Sequence, residues 1–182
     1  RMLWFGMLGH SSAMWADQVA RSWLVWQLTG SATAIGIVSV FRALPLITVG
    51  LIGGVIADRF DKRMTLLITQ MWSLVIYAAM AILILGGWIE LWHVYSTAFL
   101  LGCGMAINQP VRTSMIPQLL TGSLLLNALS LNSIAINVSK LIGPAGIGLL
   151  IAANGDNVGP AYVIAVVVYI FIIIATVNID YK

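Results

Sequence analysis

Four ionisable residues sit where water should not reach them. Asp17 and Arg21 lie in an apolar run over residues 2–28, Arg42 in a run over 32–57, and Lys140 in a run over 124–153. A charge in such a run is costly unless it is paired or faces a watery cavity, and groups kept there mark proton, ion or ligand pathways. Asp17 and Arg21 are four residues apart, so on a helix they share a face and can pair directly. At 100° per residue, His10 joins them within an arc of about 40°. This stripe should point to a bundle interior or a cavity rather than to lipid. Two readings of the pair stand: an ion pair that merely makes the helix insertable, or an Asp17 carboxyl that exchanges a proton.

A second stripe lies further along. Ser130, Ser133, Asn137, Lys140 and Pro144 fall within an arc of about 80°. Hydroxyl and amide groups can hold helices together without any ligand. The lone ammonium of Lys140 needs more: a carboxylate, water or an anionic group. Arg42, three residues before Pro45, is expected to face the same space. Arg21, Arg42 and Lys140 outnumber Asp17, so a cavity holding all four would be net positive and would favour an acidic or catecholate-like ligand. His10 and His93 lack metal-ligand partners at helical spacing and read as polar or interfacial residues, and no metal or cofactor site emerges.

The densest chemistry is a tract of five charges in six positions, Asp58 to Arg63, between two apolar runs. Gly50, Gly53 and Gly54 precede it and would let the helix they end approach a neighbouring backbone closely. A charge cluster between two membrane-length segments is a tight turn at a membrane surface.

These residues need elements to hold them. The 182-residue chain is 60% hydrophobic and 8% charged, where a soluble domain carries about 25% charged residues. This is the composition of an integral membrane protein. A bilayer span takes about 20 predominantly apolar residues. Six spans are predicted over 2–28, 32–57, 64–85, 91–111, 124–153 and 160–177, making residues 1–182 one all-α bundle. One side then holds Arg1, Arg59, Lys62, Arg63, Arg112 and Lys182; the other holds only Glu90 and Asp156. The positive-inside rule puts both ends and the charged turn in the cytoplasm. Trp26, Trp88 and Trp92 fall near the opposite boundary as interfacial anchors. Cys103 excludes an internal disulfide and reads as a small apolar filler. No cleavable signal peptide is recognisable. Apolar sequence starts at Arg1 and stops just before Lys182, so both ends are expected to be cuts in a longer protein.

The order Gly54-x-x-x-Asp58-Arg59-x-x-Lys62-Arg63 resembles motif A, the cytoplasmic turn between helices 2 and 3 of the major facilitator superfamily. Asp61 departs from the pattern, which usually has Gly there, and would have to tolerate left-handed geometry. The tracts 27–31, 41–45, 108–112, 116–118, 126–129 and 141–144 are spaced as in the branch with the enterobactin exporter and macrolide-efflux-type proteins. Gly143-Pro144-x-x-x-Gly148 resembles in part the helix-5 motif of exporters, though its glycines are also explained by helix packing. The resemblance implies the N-terminal half of a twelve-helix fold, a 3+3 inverted repeat in the cell membrane. It implies proton-coupled efflux of a small organic molecule such as a siderophore, macrolide or other drug. It further implies that Asp58, Arg59, Lys62 and Arg63, with Arg112, form a latch between the two halves. No cofactor is implied.

Other classes find less in the chain. A nucleotide-binding G-x-x-x-x-G-K-[ST] loop is absent, as are H-E-x-x-H and G-x-S-x-G, which speaks against an ATP-driven pump and an intramembrane enzyme. A non-transporting scaffold or a half-size homodimer stays open, because alternating access needs two bundles around one site. For the latch, Asp58→Asn should reduce transport while expression and insertion stay near wild type. Unchanged transport rates in that variant would remove the latch.

Overall fold

In a computed structural model, residues 2–119 and 123–177 are described, without the side chains of 2–7, 56–58, 115–119, 123–129 and 132. They form seven helices: α1 (Met2–Thr29), α2 (Ala32–Thr48), α3 (Gly50–Arg59), α4 (Lys62–Leu85), α5 (Leu91–Leu119), α6 (Ser123–Ala153) and α7 (Gly159–Val177). Polarity is inverted relative to a soluble protein. Leu51 is 83% exposed and Ile47 78%, whereas Asp17 is 4% exposed and Arg21 1%. Only an apolar solvent makes that distribution stable. Among the described residues, α4, Ser133–Ala153 of α6, and α7 are long and apolar enough to cross a bilayer, with mean hydropathies of 2.0, 1.7 and 2.6.

Five of the six predicted runs match one helix each, with shifted ends. The run over 32–57 does not: α2 and α3 are separate helices that meet at Val49. The break falls between Pro45, which lacks an amide donor, and Gly50, a poor helix former. The helix predicted over 91–111 continues to Leu119. Polar residues after Val111 end the apolar run there, but backbone hydrogen bonding carries the helix on.

The turns have local causes. Gly30, Gly87 and Gly155 take φ values of 60°, 71° and 63°, the left-handed region that glycine enters without penalty. Gln27 donates to the Asp156 carbonyl at 2.7 Å, tying two of these turns together, and Trp26, Trp88 and Trp92 are exposed nearby in sequence. At the charged turn, Asp61 has φ −58°, so left-handed geometry is not required there. Its carboxylate accepts from the Met64 amide at 2.7 Å and caps α4. Asp is a strong N-cap because it satisfies an amide the helix cannot.

Packing divides the helices into two groups. α1 lies on α6 and α7; α5 lies on α2, α3 and α4; α4 and α7 join the groups. The core between them holds Val25, Met80 and Val94 with Tyr77, Tyr162 and Tyr169. Tyr77 stands 5.1 Å from Tyr169 and 6.4 Å from Tyr162, ring centre to ring centre. Three glycines allow the closest helix contacts. A Cβ on Gly102 would strike the Arg42 carbonyl of α2, one on Gly53 the Ala106 carbonyl of α5, and one on Gly143 the Ser12 carbonyl of α1. The expectation for Gly50 and Gly54 differs: both face open space, as do Gly146 and Gly148. Gly102→Ala should therefore destabilise the purified protein by about 1–3 kcal/mol, read as a lower thermal midpoint. Gly36→Ala, whose added methyl meets nothing within 4 Å, should cause no loss and, inside a helix, a gain of about 0.5–1 kcal/mol. Equal losses in the two variants would refute this account of the contacts.

Candidate functional site

The site is a buried ion cluster built on α1. Helical spacing places Asp17 and Arg21 one turn apart, and Arg21 Nη2 donates to Asp17 Oδ1 at 3.1 Å. Its Nη1 donates to Thr97 Oγ1 at 2.8 Å and to the Val94 carbonyl at 3.1 Å, both on α5. Arg21 is thereby held by three polar partners and buried. A guanidinium in apolar surroundings is tolerated only with such a complete set.

Arg42 reaches the same carboxylate from α2. Its Nη1 donates to Asp17 Oδ2 at 2.8 Å and to Gln18 Oε1 at 3.2 Å, and Nη2 lies 3.5 Å from the Met14 carbonyl and 3.7 Å from Met105 Sδ. The Arg42 side chain keeps 11% of its surface exposed, against 2% for Arg21 and 1% for Asp17. The two guanidiniums are thus not equivalent. Arg21 is sealed between α1 and α5, whereas Arg42 is shared between the cluster and an accessible surface. One carboxylate serves two cations, so the cluster carries a net charge of +1.

The expected common cavity of Arg42 and Lys140 is not what forms. Arg42 turns to Asp17, while Lys140 is exposed on α6 with its ammonium 5.3 Å from the centre of the Trp15 ring. A cation over an indole face gains electrostatic stabilisation without a carboxylate. Asn137 is exposed on the same side of α6. In the partial helix-5 motif, Gly143 packs on α1, Pro144 lies within α6, and Gly148 opens to empty space. His10 is not interfacial: its Nδ1 lies 3.1 Å from the Tyr169 hydroxyl, inside the bundle.

At the charged turn, Lys62 Nζ donates to the Ser114 carbonyl at 3.2 Å, and Arg63 donates to the Val177 carbonyl. Arg59 is exposed at the end of α3, and Gly54 faces open space. These bonds fasten the turn to the ends of α5 and α7. The Asp58 side chain lies outside the described residues, and so does any contact it makes. Arg112 keeps its Nε buried with no hydrogen-bond partner among the described residues.

Several members of the site escaped sequence reasoning. Gln18 and Thr97 are ordinary polar residues whose role depends on where Arg42 and Arg21 reach. A signal did exist on α4, where Thr65, Thr69, Ser73 and Tyr77 recur every fourth residue in an apolar run. All four are buried, and Thr69 accepts from Asn108 Nδ2 at 2.7 Å. Among the described residues, no three His, Cys, Asp or Glu side chains come together as a metal site would require.

Comparison with known proteins now adds an independent line. A family model described as "transmembrane secretion effector" matches residues 1–181. The staphyloferrin A transporter of Staphylococcus aureus is 30% identical over 141 residues, covering 76% of this chain and 35% of that protein. An uncharacterised MFS-type transporter of Bacillus subtilis, YfiS, is 30% identical over 128 residues, 70% of this chain and 30% of its own. The multidrug efflux pump Tap of Mycolicibacterium fortuitum is 32% identical over 142 residues, 75% and 35% of the two chains. The chain thus spans about a third of the length of the curated relatives it matches.

The unequal burial of the two guanidiniums has a measurable consequence. Arg21→Gln should cost about 2–4 kcal/mol of stability, because it takes the buried donors from Thr97 and the Val94 carbonyl as well as from Asp17. Arg42→Gln should cost about 1–2 kcal/mol, since Asp17 keeps Arg21. Thermal melts of the purified variants check this, and matching losses would contradict the distinction.

Proposed function

The chain belongs to the transmembrane secretion effector family of major facilitator transporters, and on that premise we propose that it is one half of a secondary active exporter. The family is one of multi-pass membrane transporters, not enzymes. In this reading α2 and α3 form one broken span, which makes six. A 3+3 inverted repeat is supported by the pairing pattern. Exchanging spans one with four, two with five and three with six turns α1–α6 into α5–α2, turns α1–α7 into α5–α4, and leaves α4–α7 unchanged. A second six-helix half completes the alternating-access cavity. The cation-rich side faces the cytoplasm of a cell whose plasma membrane holds the protein.

The observation that carries the reading is Asp17, an acid shared between a sealed Arg21 and an accessible Arg42. Protonating Asp17 removes the only carboxylate from the cluster, freeing Arg42 for an anionic group. A charge change of this kind is how a proton biases a two-state element. The substrate is a small organic molecule, and the cationic surplus of the Asp17–Arg21–Arg42 cluster favours one bearing acidic groups. Relatives named for a siderophore and for multiple drugs agree with a small organic cargo. Asp58, Arg59, Lys62, Arg63 and Arg112 serve as the latch between halves. The second reading, a scaffold or a half-size homodimer, would leave substrate flux unchanged in cells carrying the full reading frame.

Asp17→Asn should abolish uphill efflux driven by an imposed pH gradient while downhill exchange persists. The assay is efflux of siderophores, macrolides and dyes from proteoliposomes. Gradient-driven efflux that survives the substitution would move the proton to another group.

A further inference from the structure

A slot of about 360 Å³ between α6 and α7 has almost wholly apolar walls, and the chemistry lies in a smaller space. On the Arg42 side of α1, a cavity of about 10 Å³ is enclosed by α1, α2, α4, α5 and α7, room for one water-sized group. Its polar lining residues are His10, Arg42, Ser73, Tyr77, Asn108 and Tyr169. None of them carries a negative charge.

One nitrogen of Arg42 is poorly held at this cavity. Nη1 has Asp17 Oδ2 at 2.8 Å, but Nη2 has only the Met14 carbonyl at 3.5 Å and Met105 Sδ at 3.7 Å, beyond the length of a good hydrogen bond. Met14 and Met105 both line the cavity, so Nη2 lies at its edge. Around it runs a connected row of neutral acceptors. Asn108 gives its amide nitrogen to Thr69, and its amide oxygen remains an acceptor. The Ser73 hydroxyl donates to the Thr69 carbonyl at 2.9 Å and is hydrogen-bonded to Tyr169, whose own hydroxyl lies 3.1 Å from His10 Nδ1. A hydroxyl that has spent its proton on a neighbour still offers a lone pair, and so does a neutral imidazole. Arg21 has no such alternative, because Thr97 and the Val94 carbonyl hold it from α5.

The charge on Asp17 decides where Arg42 rests. Asp17 faces Arg21 on its own helix, Arg42 on α2, Tyr77 on α4 and Tyr162 on α7, whose hydroxyl hydrogen-bonds it. Thr97 of α5 and Gly143 and Ile147 of α6 complete the surroundings and do not titrate. While the carboxylate is ionised, its charge-assisted bonds outweigh neutral acceptors. We propose that the small cavity is a second seat for the Arg42 guanidinium, taken when Asp17 is protonated, with Ser73, Asn108 and His10 as the positioning residues that receive Nη2. This inference rests on the proton step proposed above for Asp17, and it adds where the released cation goes. Neutral acceptors bind a guanidinium more weakly than a carboxylate does, so an anionic group can still draw it out.

The test is a pair of crystal structures of the full-length protein in one crystal form, with Asp17 intact and with Asp17→Asn, which stands for the protonated acid. In the variant, Nη2 should shift by about 3 Å, one hydrogen-bond length, to reach Ser73 Oγ, Asn108 Oδ1 or a His10 ring nitrogen. Adding Ser73→Val removes a hydroxyl and fills the space, and Arg42 should then stay beside residue 17. Arg42 still on residue 17 in Asp17→Asn alone, or already in the cavity with Asp17 intact, would overturn the proposal. So would an Asp17→Asn protein that folds only when Arg42→Gln is added, since that marks a guanidinium left buried without a partner. The readout needs neither transport nor substrate. Efflux that ignores a pH gradient would end the proton step of the exporter reading, while the position of Arg42 in the crystals would still decide the seat.

Discussion

A carboxylate shared between two guanidiniums, in surroundings that offer little water, is the constraint on which the rest of this bundle depends. Asp17 cannot be buried alone, and neither can Arg21. Their mutual neutralisation lets α1 occupy the centre of the bundle, in contact with both helix groups. Arg21 then fixes the distance from α1 to α5 through Thr97 and the Val94 carbonyl. Arg42 fixes the approach of α2. The cluster is therefore a structural joint between three helices.

Close backbone approach is the second requirement, and it follows from the first. Side chains as short as Asp17 reach a neighbouring helix only if the axes lie close together. Gly102 and Gly53 bring α5 against α2 and α3, and Gly143 brings α6 against α1. In an apolar solvent, burying apolar surface gives helices little reason to associate, so small residues and satisfied polar groups must supply it. The polar ladder on α4 and the tyrosine cluster supply more of the same. Where two helices lack such contacts, as α6 and α7 do, a slot remains.

Much of this was legible in the residues themselves. Composition and the lengths of the apolar runs specify a membrane bundle, because lipid demands uninterrupted apolar helices. The pairing of Asp17 with Arg21 follows from a spacing of four. The charged turn and its glycines are readable as a surface turn, and Asp61 explains itself as a helix cap once its backbone angle is known. Less legible were Gln18 and Thr97, whose partners lie on other helices. The partner of Arg42 is Asp17 rather than the space near Lys140, because sequence spacing carries no information on which helices become neighbours.

The sequence by itself determined the solvent, the segments that meet it, the family and the list of residues too costly to be idle. Those properties are local: each depends on hydropathy, charge and helical periodicity within one run. Only the tertiary structure decided that one acid serves two cations, that Arg21 is sealed while Arg42 is accessible, and that Lys140 rests on Trp15 instead. It also decided which glycines touch a neighbour and which face empty space. These outcomes depend on distances between helices far apart in sequence, set by packing across the whole bundle rather than by any single stretch of chain.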